Sequence, residues 1–187
     1  SFFGLSPTLV LHATGFVVIA VLLTWHTLTG DPWKVRIRDA AWLLLEGCIA
    51  MAPLLAAAAF FGTLRETALA APVSIVPTST IDAIALAIGA GLSEELLFRM
   101  VGVACVHWIL ADMCGVKNAT TLIIAVVVTA AAFTLYHDPT SLSSASLVFV
   151  AAAGLYLGVL YVMRGFAVAV VAHAGYDAIV LLAIAAD

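Results

Sequence analysis

Residues 81–111 read IDAIALAIGAGLSEELLFRMVGVACVHWILA. Apart from Asp82, the charges in this run gather in one knot, Glu94, Glu95 and Arg99. A stretch of 18 or more largely apolar residues reads as a membrane helix, because a hydrocarbon core of about 30 Å needs roughly 20 residues to cross. As one helix at about 1.5 Å per residue, this run would reach roughly 46 Å. That excess predicts either a break within it or a surface segment at its start.

Similar apolar runs flank it on both sides. Thr8 to Thr29 is stopped by Gly30-Asp31-Pro32, a turn-forming cluster. Ala40 to Thr63 contains Glu46, with Pro53 as an expected kink. Leu64 to Thr80, with Pro72, Pro77, Ser74 and Ser79, reads as a loop or interfacial segment. Further spans follow at Ala119–His137, Ala145–Met163 and Phe166–Ala186. The fold class expected is therefore an all-α polytopic membrane protein, a bundle of about six transmembrane helices, with seven or eight still within range. The first run lacks preceding basic residues and a small-residue cleavage site, so it reads as a retained helix and not a signal peptide.

Composition agrees. Of 187 residues, 65% are hydrophobic and 10% charged, where soluble domains carry about 25% charged residues. A mean hydropathy of +1.20 leaves too little polar surface to coat a soluble globule. Seven Lys and Arg scattered along the chain give no footprint for nucleic acid. Cys48, Cys105 and Cys114 form no CxxC pair and read as apolar packing residues. Placing Lys34, Arg36 and Arg38 on the cytoplasmic side puts Lys117 and Arg164 there too, with Arg65 alone opposite. Both termini are then expected to face away from the cytoplasm, in a bacterial or archaeal cytoplasmic membrane.

An ionisable residue inside a membrane helix costs at least about 2.5 kcal/mol and marks a functional site by default. Glu95 and Arg99 are four apart and can pair on one helix face. Glu94 lies about a quarter-turn round and lacks that partner, which leaves it free to act as a base. Phe133 stands one turn before His137 and can buttress its ring. His173 and Asp177, also four apart, share one face of the last helix; Asp177 could orient His173, or both could bind a metal. Each group has an ordinary structural reading as a buried pair or a helix cap. Together they supply a base, a water-orienting imidazole and an electrophilic site, which is what adding water to a peptide carbonyl requires.

In order along the chain, Glu-Glu-x-x-x-Arg, Phe-x-x-x-His and His-x-x-x-Asp resemble the motifs of the CAAX protease and bacteriocin-processing (CPBP, or Abi) intramembrane endopeptidases, the family of the type II CAAX prenyl protease. The resemblance covers residues 81–187, the expected catalytic helical core; residues 1–80 are N-terminal helices without a recognised motif. It implies that Glu94 and His137 activate water, that Arg99 holds Glu95, and that His173 with Asp177 stabilises the oxyanion. The implied substrate is a peptide or membrane-anchored protein held at the lipid bilayer. The family has been described both as zinc-dependent and as a glutamate protease. A metal-free site is favoured because HExxH is absent; zinc, if used, would fall to Glu94, His137 and His173. Two departures stand out: Met100 follows the motif Arg where many members have Gly, and Asp177 replaces a common Asn. An ionised Asp cannot donate to an oxyanion.

Other polar residues have simpler readings. Glu46 is expected to pair with a polar neighbour. His12, His26 and the pair His107-Trp108 suit interfacial or packing roles, and Gly154 and Gly158 form a small-residue face for close helix contact. The competing functions are a non-catalytic immunity or scaffold protein of the same family and a proton-coupled carrier. No paired broken helices support the carrier.

Overall fold

The computed structural model describes residues 7–30, 32, 34, 36–64, 66, 77 and 79–186, with side chains from residue 16 onward. Arg65, the side chain of His12, and most of the Leu64–Thr80 connection therefore lie outside the described residues. Among the described residues there are six helices and no strand: α1 (Pro7–Thr29), α2 (Ile37–Phe61), α3 (Thr80–Met113), α4 (Asn118–Tyr136), α5 (Ser144–Arg164) and α6 (Phe166–Ala185). Their bounds fall within three residues of the apolar runs. Helices α2 to α6 are long and apolar enough to cross a membrane, and α1 contributes the apolar stretch Phe16–Thr29. Ile88, Leu97, Ile123, Val127, Val148 and Ile179 point outward and exposed. Water would penalise such surfaces, whereas lipid accepts them. The protein is an integral membrane protein of the all-helical class.

Two units divide the chain, Ser1–Trp42 and Leu43–Asp187. The motif-bearing region lies wholly within the second.

The long third run is neither broken nor begun as a separate surface helix. Ser79 caps it, its Oγ accepting the Asp82 amide at 3.2 Å. The helix is α to Glu95, widens to π turns over Leu96–Val103, returns to α over Ala104–His107 and widens again over Trp108–Met113. Within a membrane every backbone polar group needs an internal partner. Changing the helical winding shifts side-chain register without freeing those groups, and π turns commonly do so beside functional sites.

One face of α3 carries Ala83, Ala87, Gly91, Glu95 and Arg99 at every fourth position, all buried. This stripe packs on α6. A methyl group added at Gly91 would lie 2.8 Å from the Ala174 backbone nitrogen, and Ala83 and Ala87 cluster with Leu181. The order of these contacts makes the two helices antiparallel. Small residues bring the backbones together, and the same face then delivers Glu95 and Arg99 into the interior.

The hairpin of α3 and α4 sets the depth of the site. Nineteen residues separate Glu94 from Met113, and α4 has 19 residues. The chain therefore descends from Glu94 and climbs back by nearly the same length, so the end of α4 returns to the level of Glu94. Gly154 and Gly158 of α5 form the expected close face against α4: added methyls would lie 3.3 Å from Ala130 and 3.0 Å from Val126. Tyr156 of α5 donates to the Ala50 carbonyl of α2 at 2.7 Å. Glu46 forms an ion pair with Arg164, the polar neighbour expected for it. Pro53 lies inside α2 without ending it.

Candidate active site

Three helices bring Glu94, Glu95, Arg99, His137, His173 and Asp177 into one cluster. The α3 stripe supplies the anchor. Glu95 and Arg99 have no exposed surface, and Arg99 Nη1 lies 3.0 Å from Glu95 Oε1. Arg99 also donates from Nη2 to the Gly154 carbonyl on α5 at 3.2 Å. Its guanidinium carbon stands 4.5 Å from the centre of the Phe133 ring, within cation–π range. A buried arginine is costly unless paired and hydrogen-bonded; here a carboxylate, a carbonyl and an aromatic face surround it.

Glu94, one residue before Glu95, is buried but turned away from this anchor. Its Oε2 has no hydrogen-bond partner among the described residues. It faces two imidazole nitrogens instead, His137 Nε2 at 3.7 Å and His173 Nε2 at 3.9 Å. Both separations exceed a direct hydrogen bond and are of the size that a water can bridge.

His137 is the residue at which α4 ends. Its Nδ1 lies 2.9 Å from the Phe133 carbonyl. A carbonyl only accepts, so Nδ1 carries the proton, and in the neutral ring Nε2 presents a lone pair towards Glu94. Phe133 also buttresses the ring as its spacing predicts, with centroids 4.4 Å apart. The same phenyl reaches His173 at 5.8 Å and Phe98 at 5.4 Å.

His173 joins α6 to the anchor. Its Nδ1 lies 2.7 Å from Glu95 Oε1, a hydrogen bond short enough to be charge-assisted. Asp177 Oδ2 stands 3.6 Å from Nε2 of the same ring, too far for a hydrogen bond. Glu95, not Asp177, therefore fixes the orientation of His173. The spacing of four between His173 and Asp177 suggested the opposite, since intrahelical spacing is visible in a sequence and a partner on another helix is not. The Gly154 carbonyl was likewise invisible, because a backbone acceptor has no residue signature.

A small cleft, with room of about 40 Å³, opens beside the cluster. His137, His173 and Asp177 form one wall, and Leu54, Phe149, Val150, Ala153, Leu157 and Tyr176 form much of the rest. Apolar walls with a few converging polar groups are the usual form of a ligand site. Among the described residues, no group of three or more His, Cys, Asp or Glu side chains is arranged to hold a metal ion.

A family model described as Type II CAAX prenyl endopeptidase Rce1-like matches residues 76–179, a span that contains all six clustered residues. No curated protein and no solved structure matches the chain.

Proposed function

The chain belongs to the Rce1-like family of type II CAAX prenyl endopeptidases, and from that membership we propose that it is an intramembrane endopeptidase whose water is activated by Glu94 and His137. The observation that carries this reading is the convergence of Glu94 Oε2 with His137 Nε2 and His173 Nε2 from three helices. Ionised Glu94 and neutral His137 both present acceptors, so a water between them would donate one proton to each. That arrangement aims its lone pair at a carbonyl carbon in the cleft. Glu94 takes the proton as the water attacks, and returns it to the leaving amine as the C–N bond breaks.

His173 has the complementary task. With Nδ1 committed to Glu95, a protonated Nε2 can donate to the oxyanion formed at the carbonyl. Asp177, an acceptor when ionised, would stabilise that imidazolium and not the oxyanion itself. The proposed substrate is a peptide or membrane-anchored protein that offers its scissile bond from the apolar cleft. The site is proposed to work without a metal. The basic residues Lys117 and Arg164, at the ends remote from His137, are proposed to face the cytoplasm.

Two variants test the core of the proposal. Glu94→Gln and His137→Ala should abolish cleavage in reconstituted vesicles while helical content and membrane insertion stay as in the wild type; cleavage at the wild-type rate by both overturns it. A chelator should leave the wild-type rate unchanged. Loss of activity that zinc restores would refute the metal-free reading alone.

A further inference from the structure

Glu66 belongs to none of the three motifs and lies in the connection between α2 and α3. Its carboxylate nevertheless reaches the start of α5. Glu66 Oε1 accepts the Ser143 backbone N–H, and Oε2 accepts the hydroxyls of Ser143 at 2.7 Å and Ser146 at 2.6 Å. Ser143 is the N-cap of α5, where its Oγ also accepts the Ser146 amide at 3.2 Å. An anion at this place meets the positive end of the helix dipole. The Ser146 hydroxyl, then the amide and hydroxyl of Ser143, hold the Glu66 carboxyl below the usual carboxylate range, so it is charged at neutral pH.

The five residues between His137 and Ser143 are tied to one another by hydrogen bonds. Asp138 takes a φ of 47°, a left-handed conformation that Asp tolerates better than most residues. Its Oδ1 accepts the Thr140 hydroxyl at 2.6 Å and the Thr140 amide at 3.3 Å. Its carbonyl accepts the Ser141 amide at 3.0 Å and hydroxyl at 2.9 Å. Leu142 packs on the core cluster that contains Phe133 and Phe149. Ser143 is thus joined to His137 by a short loop with its own internal hydrogen bonds.

We propose that Glu66 is a positioning residue: by clasping Ser143 and Ser146 it fixes the loop that ends α4, and with it the place at which His137 Nε2 faces Glu94. This rests on the reading of Glu94 and His137 as the water-activating pair. The clasp acts across two connections that are remote in sequence, and it touches no atom of the proposed reaction.

The test combines a mobility readout with kinetics. A spin label is placed at Ser144→Cys, exposed beside Ser143, with Cys48, Cys105 and Cys114 replaced by Ala, in the full chain in vesicles. Glu66→Ala should mobilise the label and lower kcat about tenfold, within the roughly hundredfold that a 1 Å misplacement of reacting groups can cost, while KM moves less than about twofold. Glu66→Gln keeps an acceptor for the Ser143 amide and should hold the label still and retain most of kcat. Ser146→Ala, which removes one bond of the three, should fall between them. An immobile label together with wild-type kcat in Glu66→Ala overturns the proposal, as does equal loss in Glu66→Ala and Glu66→Gln. Failure of the parent reading has a different signature: Glu94→Gln would still cleave, with label mobility untouched.

Discussion

Arg99 is shared among Glu95, the Gly154 carbonyl and the Phe133 ring. Removing it while leaving Glu95 buried should be far worse than removing both. Arg99→Met is expected to destabilise the protein by about 3–5 kcal/mol, the usual result of stranding one member of a buried ion pair. The double variant Glu95→Gln/Arg99→Met should recover much of that loss in denaturant unfolding in detergent. Arg99→Lys keeps the charge but lacks the planar fork that serves two acceptors at once; lower activity with a folded protein is expected, and wild-type kinetics would remove Gly154 from the account. At this scale the sequence was informative about which residues cluster. All six candidates converge, because charge in an apolar helix is rare and visible. It was less informative about who binds whom: Glu95 and His173 are 78 positions apart, and nothing local links them.

Helix α3 carries its charges inward on a small-residue stripe, and its glycines can be told apart by what surrounds them. A methyl group at Gly91 would lie within 2.9 Å of Ala174 backbone atoms, which cannot move aside without separating α3 from α6. Gly89, two positions earlier, has open space. Gly91→Ala should therefore lower the thermal midpoint in detergent and loosen the Glu95–His173 contact. Gly89→Ala should be neutral or slightly stabilising, by up to about 1 kcal/mol from helix propensity. Equal behaviour of the two variants would mean that the α3–α6 contact does not limit stability. Helix bounds were legible to within a few residues, since length and hydropathy are properties of consecutive residues. The π turns of α3 were not. Nothing in the spacing of the residues over Leu96–Val103 and Trp108–Met113 marks a change of winding.

At the scale of the molecule, the α3–α4 hairpin explains how a histidine at a helix end can meet one within a helix. It also separates two accessible positions by the full length of α4, about 28 Å at the usual rise. Cys114, exposed in the turn before α4, and a cysteine introduced at Ser141 should react with a membrane-impermeant thiol reagent from opposite faces. With Cys48 and Cys105 replaced, Ser141→Cys should label in intact cells and Cys114 only after permeabilisation; labelling of both from one face would contradict a crossing by α4. By itself the sequence determined the membrane class, the positions of the helices and the identity of the polar residues inside them. Those follow from composition, from run length and from the cost of placing charge in hydrocarbon. Only the tertiary structure decided that Glu95 orients His173, that a carbonyl of α5 completes the arginine site, and that Glu66 clasps the loop behind His137. These depend on the register of one helix against another, a property that emerges from packing and has no signature along a single chain.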